Sequence, residues 1–484
     1  MSIFRNISTT MNVQNLVDAI VGSCKMLCCI AVIGFGPISL TAQTDPDDAF
    51  FIKQLYDEAL DRQMAYTWLE YLSERIGNRL AGSPQSLAAI EFTAQVLDTL
   101  GTDTVIRQPC TVQYWYRGEK EQARVVSHPS MGTLDLRCLA LGGSGSTGPN
   151  GISAEVVAFA SLDELRAAGT AVKGKIVYLN RPFDNRHIRT FHAYGGAVDQ
   201  RVAGPDLAAK LGAVACVIRS MTGRLDDWPH TGGTHFSDSI MPIPAIALST
   251  KSAELLNQCI RFGPTKLYIK TLCEHRGPKP SYSVIGEIKG SKYPNEIILV
   301  GGHLDSWDVG GGAHDDGAGC VHSMEVLYLF NKLGYKPLRT IRCVLFQNEE
   351  NGLAGGRTYA EISNAKKEFH LAAIESDAGG FTPQGFGFDG DGKLLEKFKK
   401  NAAKWEELLG PYDLSFSPGG GGADIGPLKS QNGMLFGLRP DSQRYFDFHH
   451  TEQDRISAVH PRELAMGSAA MASLVYLIDQ YGIR

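Results

Sequence analysis

Three features of the sequence predict an α/β fold with a mostly parallel mixed sheet flanked by helices. Short apolar runs alternate with amphipathic stretches through the second half of the chain, as they do in βαβ units. Runs such as Glu296–Val300 are apolar almost throughout rather than at every second position, which fits strands covered on both faces. Asp, Glu, His and Gly collect directly after these runs, at the carboxyl ends of the predicted strands, where open α/β sheets place their chemistry.

From about Pro46 to Gly101 the pattern is helical. Phe50–Leu60 and Ala65–Arg75 carry apolar residues at helical spacing, and Ser83-Pro84 supplies an N-cap and a first-turn proline for Gln85–Leu100. Thr104–Ala140 changes to short alternating runs, among them Cys110–Tyr116, which read as strands. Residues 148–272 read as a separate unit, with a strand at Glu155–Phe159, a turn into a second strand over Val172–Leu179, a helix at Asp206–Leu211 followed by the apolar run Gly212–Ile218, and the run Pro242–Leu248 closing it. Its Gly174-Lys175-Ile176-Val177 turn and strand, and the Ala-rich helix running through Gly212-Ala213 into an apolar strand, resemble the protease-associated domain. That resemblance implies a lid or interaction surface without catalytic residues. Tyr282–Glu287 and Glu296–Val300 return to the main sheet. Helices then follow at Ala318–Leu333, Leu353–Lys366, Lys393–Leu409 and Pro461–Tyr481, with strands between them at Thr340–Phe346, Leu371–Glu375 and Gly433–Leu438. The expected division is 1–42 leader, 43–147 first part of the main domain, 148–272 insert and 273–484 main domain.

A chain of 484 residues exceeds one small core and suggests two or three domains. Apolar residues at 43% and charged residues at 20% argue against disorder, and a net charge of −5 gives no reason to expect nucleic acid as a partner. Met26–Leu40 is an apolar run after Lys25, too short to span a bilayer, and Leu40-Thr41-Ala42 offers a cleavage site before Gln43. These features predict a signal peptide and a secreted or periplasmic protein. Met26 and Leu27 are poor company for a lipid-attachment Cys28 or Cys29, so a lipid anchor is disfavoured. Seven of the ten cysteines lie beyond the leader, an odd number with no CxxC, which indicates neither a disulfide framework nor a thiolate metal site.

The chemistry gathers around Gly301-Gly302-His303-Leu304-Asp305 and Ala313-His314-Asp315-Asp316-Gly317. Alone, His-x-Asp is common and Asp-Asp before a helix reads as a cap. Four further elements change the balance: Asn348-Glu349-Glu350 after one strand, Ser376-Asp377 after another, the loop Gly419–Gly422 with Asp424, and Arg444–Asp454 with His449 and His450. Together they supply the four to five carboxylate or imidazole donors that two divalent ions need. Zinc suits that donor set, since no thiolate is required.

At these positions the chain resembles the co-catalytic zinc exopeptidases of the aminopeptidase–glutamate carboxypeptidase family. The likeness rests on His303–Asp308, Gly311–Gly319, Asn348–Gly352, Glu375–Asp377, Gly421–Asp424 and His449–Thr451, with Ile76–Ser83 as a further shared feature. It implies two zinc ions, with manganese or cobalt able to replace one. Asp315 would bridge the ions, His303 and Asp377 would complete one, and Glu350 and His450 the other. Glu349 would act as general base and then acid, taking a proton from the attacking water and delivering it to the leaving amine. Asp305 would hold the second ring nitrogen of His303. Asp316, joined to Asp315 by a cis peptide, Asp424, His449 and Asp454 would support these groups or touch substrate, and His314 would face away. The resemblance further implies a short-peptide substrate and a homodimer. The alternatives are a broad-specificity zinc aminopeptidase, a glutaminyl cyclase-like enzyme, whose relatives lack the insert, and a receptor-like relative, which would have damaged ligands.

Overall fold

The computed structural model describes residues 46–483, so the leader read at 1–42 lies outside the described residues. Eight strands form the main sheet: β1 (Thr104–Tyr116), β2 (Glu274–Ile288), β3 (Tyr293–His303), β4 (Arg339–Phe346), β5 (Phe369–Glu375), β6 (Pro383–Asp389), β7 (Ser415–Pro418) and β8 (Met434–Pro440). Their order is β1-β2-β4-β3-β5-β8-β6-β7. The centre, β4-β3-β5-β8, is parallel, while β2 and β6 join it antiparallel. The predicted α/β class with a mostly parallel mixed sheet is therefore what the chain adopts.

The core follows from the period of the strands. Ile298 and Val300 of β3 point to one face, into a large cluster with the helices Pro46–Arg62, Ala318–Lys332 and Pro461–Tyr481. Leu299 points to the other, among Val344, Tyr359, Ala373 and Leu435. All three β3 side chains are fully buried, and burial of such an aliphatic side chain stabilises by about 1.5–3 kcal/mol. The helix Pro84–Thr99 starts as the sequence predicts, with the Ser83 hydroxyl accepting from Ser86 N at 3.1 Å and Pro84 in its first turn.

A second eight-stranded sheet is built between β1 and β2. The chain leaves the main sheet after Tyr116 and returns at Glu274, and these two residues pair across the β1–β2 ladder. Ile152–Phe159, Ile176–Leu179, Ala215–Arg219 and Ala245–Leu248 are its parallel centre. Gln122–Ser127, Leu134–Leu136 and Cys138–Ala140, all before residue 148, also belong to it. The helix Thr250–Phe262 and strand Lys266–Lys270, beyond the elements predicted here, complete the unit. Phe183, Ala193, Ala197 and Met221 of this unit pack on Phe381, Tyr445 and Phe446 of the main domain, which brings one edge of it over the carboxyl ends of the central strands. All seven cysteines from Cys110 to Cys343 are free, and Cys216 and Cys343 are buried as expected of small core residues. Among the described residues no helix is long and apolar enough to cross a membrane.

Candidate metal centre

β3, β4 and β5 end in register, with His303 opposite Phe346 and Gly301 opposite Glu375. The residues that follow these strands therefore open into one crevice. After β3 the chain turns through Leu304–Gly312, a turn fixed from outside by buried Arg79. Its guanidinium donates to the carbonyls of Leu304 (2.6 Å), Gly311 (2.7 Å) and Gly312 (2.9 Å). That contact gives a physical reason for the Ile76–Ser83 motif. Gly312 has φ 56°, a left-handed turn that glycine adopts without strain, and it delivers Asp315 and Asp316, joined by a cis peptide bond.

Two donor groups converge on the two oxygens of Asp315. His303 Nε2 lies 3.2 Å from Asp315 Oδ1 and 3.5 Å from Asp377 Oδ1. His450 Nε2 lies 3.2 Å from Asp315 Oδ2 and 3.2 Å from Glu350 Oε2. His303–Asp315–Asp377 and Asp315–His449–His450 each form a group whose ligand atoms lie within 4.8 Å of one another. His449, expected to stand behind the donors, has Nε2 at 3.7 Å from Asp315 Oδ2, with its ring stacked on His450 at 3.5 Å.

The donor chemistry fits metal ions. Glu350 Oε1 is buried without a hydrogen-bond partner, although such an oxygen is costly to leave unsatisfied. Burial pushes the Glu350 carboxyl up to about 7, with Asp315 adding to the shift and His450 opposing it. Burial also works against a charged His450, but Glu350 and Asp315 outweigh it and lift the imidazole to about 10. His303 is likewise held well above its ordinary value: burial opposes this, and Asp315 and Asp377 overcome it. Buried carboxylates that draw protons onto neighbouring imidazoles form a pocket whose charge a divalent cation compensates.

The surrounding groups take definite positions. Asp316 accepts from His303 N (3.0 Å) and Gly319 N (2.9 Å). Asp454 accepts from His314 N (2.7 Å) and Asp315 N (3.1 Å), so it fixes the loop that carries the central carboxylate. His314 faces away, stacked on Phe381 with ring centroids 4.1 Å apart. Asp424 is fully buried with neither oxygen hydrogen-bonded, beyond both donor groups. Glu349 lines the cleft beside Glu350. Burial pushes its carboxyl well above the ordinary range, with Asp377, Glu350 and Asp315 adding to the shift and His303 opposing it.

The expected role of Asp305 needs correction. The His303 Nδ1 atom is held at 3.0 Å by the Asp305 main-chain carbonyl, while the carboxylate stands 3.9 Å away. Asp305 Oδ1 accepts instead from Asn348 N (2.6 Å) and Glu349 N (3.1 Å). The carboxylate thus secures the turn that presents Glu349.

The insert also does more than expected. The Thr231 carbonyl lies 3.2 Å from His450 Nδ1, and Arg201 Nη1 lies 3.3 Å from the same atom. Arg201 in turn donates to Tyr194 Oη at 2.7 Å. No local motif marks Thr231, whose contribution is a main-chain oxygen. Arg201 was legible only as one basic residue among many. The cleft itself, about 940 Å³, runs between Gln113–Trp115 of β1, the insert and the donor groups, and His235 lines it.

The model of peptidase family M28 matches residues 283–475. Carboxypeptidase Q from Bos taurus is 33% identical over 459 residues, covering 93% of each chain. Carboxypeptidase Q from Homo sapiens is 34% identical over 426 residues, covering 88% of this chain and 86% of that one. The crystal structure of a peptidase M28 precursor from Shewanella amazonensis SB2B superposes with a TM-score of 0.84 at 33% identity, covering 90% of this chain and 97% of that chain. A zinc aminopeptidase from Bacillus subtilis shares the fold, with a TM-score of 0.61 at 21% identity over 85% of this chain and 94% of its own. Near-complete coverage by relatives a third identical, with a matching family model over the metal-donor half, establishes that the chain belongs to peptidase family M28.

Proposed function

We propose that the protein is an exported zinc exopeptidase that hydrolyses dipeptides or other short peptides, working as a homodimer. The observation that carries this reading is the central carboxylate, whose two oxygens face separate donor groups, His303 with Asp377 and His450 with Glu350. Those five residues would hold two zinc ions, with His449 near enough to Asp315 to share in the second group. Bound there, the ions would polarise the scissile carbonyl and bring the ionisation of water toward neutral pH.

The chain's own residues do the rest. Glu349 takes the proton of the attacking water and passes it to the leaving amine, a task that favours a carboxyl lifted from its ordinary range by burial. Asp305 keeps that carboxyl aimed through the main chain of its turn. The second-sheet unit, read as a protease-associated insert, walls the cleft. The size of the cleft, about 940 Å³, suits a peptide of a few residues.

The test combines metal analysis with a panel of dipeptides having free, amino-blocked or carboxyl-blocked ends. Two zinc per chain and cleavage of unblocked dipeptides support the reading; tolerance of a blocked carboxyl end points to an aminopeptidase. Glu349→Gln should keep both ions and lose at least about a hundredfold in kcat. Near-normal turnover in that variant would remove Glu349 from its role.

A further inference from the structure

The two donor groups match in front and differ behind. His303 Nε2 and His450 Nε2 each lie 3.2 Å from one oxygen of Asp315, and each has a second carboxylate beside it, Asp377 at 3.5 Å and Glu350 at 3.2 Å. Behind His303, Nδ1 meets the Asp305 carbonyl at 3.0 Å, with the Asp305 carboxylate 3.9 Å off. Behind His450, Nδ1 meets the Thr231 carbonyl at 3.2 Å, with the Arg201 guanidinium 3.3 Å off. One imidazole is thus backed by a negative charge and the other by a positive one.

The guanidinium is fixed in that place. Arg201 is buried, its Nη2 donates to Tyr194 Oη at 2.7 Å, and its Nη1 donates to the Thr231 carbonyl at 3.4 Å. Its Nε is buried without a partner. Among the described residues no carboxylate pairs with it, whereas Arg117 faces Asp308 and Glu121, and Arg342 faces Glu287 and Glu368. Gly232 makes the close approach possible, since a Cβ there would run into both Arg201 Nη1 and His450 Nδ1. A carbonyl or carboxylate on the distal nitrogen of a metal-binding imidazole makes the ring a stronger donor. A buried, unpaired cation in the same place draws density out of the ring and repels an ion held on its other side, and burial spares that repulsion from screening by salt.

We propose that Arg201 is a positioning residue that acts through His450: it weakens the His450–Glu350 group as a metal site, so that of the two zinc ions the one held there is bound less tightly and exchanges first. The inference rests on the two-zinc reading above and adds a division of labour. The Asp305-backed group keeps a resident ion, and the Arg201-backed group keeps a replaceable one whose occupancy follows the zinc supply around the protein.

The metal-free parent, Arg201→Gln, Arg201→Met, Arg201→Lys and Glu350→Gln would be titrated with zinc against a competing chelator, and the release of zinc from the loaded proteins to that chelator timed. The parent should take two ions in separate steps, and Glu350→Gln should weaken the looser step alone. Arg201→Gln and Arg201→Met should tighten the looser step by about tenfold or more and slow release of that ion, with the tighter step within about threefold of the parent. Arg201→Lys, which keeps the charge, should stay near the parent. The donors, His449 included, are the same in the parent and in every Arg201 variant. A residue that merely braced the loop would give the opposite sign, because its loss leaves His450 less well placed and the ion held more loosely. Either neutral variant decides the comparison if the other fails to fold. A looser step that is unchanged or weakened in the neutral variants, or a Glu350→Gln loss that falls on the tighter step, overturns the proposal and leaves the two-zinc reading in place. Fewer than two ions on the parent takes down that reading and this inference together.

Discussion

Asp305→Ala separates two roles that one carboxylate could play. The side chain is fully buried, and its Oδ1 accepts from Asn348 N at 2.6 Å and Glu349 N at 3.1 Å. Hydrogen bonds to a charged group contribute about 1.5–3 kcal/mol each, so the pair gives about 3–6 kcal/mol of order to the turn behind Glu349. Removing the carboxylate strands two buried N–H groups. Part of the loss appears as stability and part as misplacement of the Glu349 carboxyl, where a shift of about 1 Å can cost a factor of about a hundred in rate. The His303 ring is untouched, because its Nδ1 partner is the main-chain carbonyl at 3.0 Å, which alanine retains. Asp305→Ala should therefore lose about a hundredfold in kcat while keeping its zinc, and Asp305→Asn, which preserves one neutral acceptor, should fall between. Zinc content by atomic spectroscopy, kcat and urea midpoints from the same preparations check this. A loss of zinc in step with the loss of activity would refute the argument, since it would place the carboxylate in control of the His303 ring instead.

Glu325 gives a pH dependence away from the metal donors. Burial pushes its carboxyl up to about 7, and its Oε1 accepts from Ala65 N at 3.2 Å in the first turn of the helix Met64–Glu70. Because the folded value lies above the unfolded one, its contribution to stability is full below about pH 4.5 and is lost as pH rises through 7. Glu325→Gln keeps an acceptor and cannot ionise. Relative to the parent, it should therefore gain about 3 kcal/mol between pH 4.5 and pH 8 in urea unfolding; a constant difference would count against the burial argument. Chelation should lower Tm and abolish activity, and zinc at about a thousandfold excess over its Kd should return about 4 kcal/mol of stability, measured by thermal unfolding with and without added metal. Gly319→Ala would drive a Cβ into the Ser376 carbonyl and the Asp316 carboxylate, backbone on one side and the partner of His303 N on the other. It should lose about 1–3 kcal/mol in urea unfolding and bind zinc more weakly in metal titration.

Much of the centre was readable because His303, Glu350 and Asp377 sit at or just beyond the ends of apolar strands. Once β3, β4 and β5 are recognised, topology alone brings His303, Glu350 and Asp377 together. The helix Pro461–Tyr481 was readable with its limits, since a first-turn proline and a long apolar pattern agree. β6 and β7 were missed: Pro383–Asp389 and Ser415–Pro418 are rich in Gly, Pro and Ser, and take strand form by pairing with each other and, for β6, with β8 rather than by local preference. The Asp305 role was misassigned because a carboxylate and a carbonyl two residues from a histidine look alike in sequence, and only the path of the turn tells which reaches the ring. His449 and the insert contacts on His450 are long-range facts that no spacing encodes.

The carbonyl of Thr231 and the ring of His450 are 219 residues apart in the chain. That separation makes the second-sheet unit a poor candidate for modular exchange. A chimera carrying a relative's insert between Tyr116 and Glu274 would fold its own strands, yet inherit a foreign loop where His450 needs an oxygen. Grafting should therefore succeed only when the loop around Thr231 travels with the recipient's His450. The loop around Thr231 and the segment around His450 are thus one working part split between distant stretches of the chain.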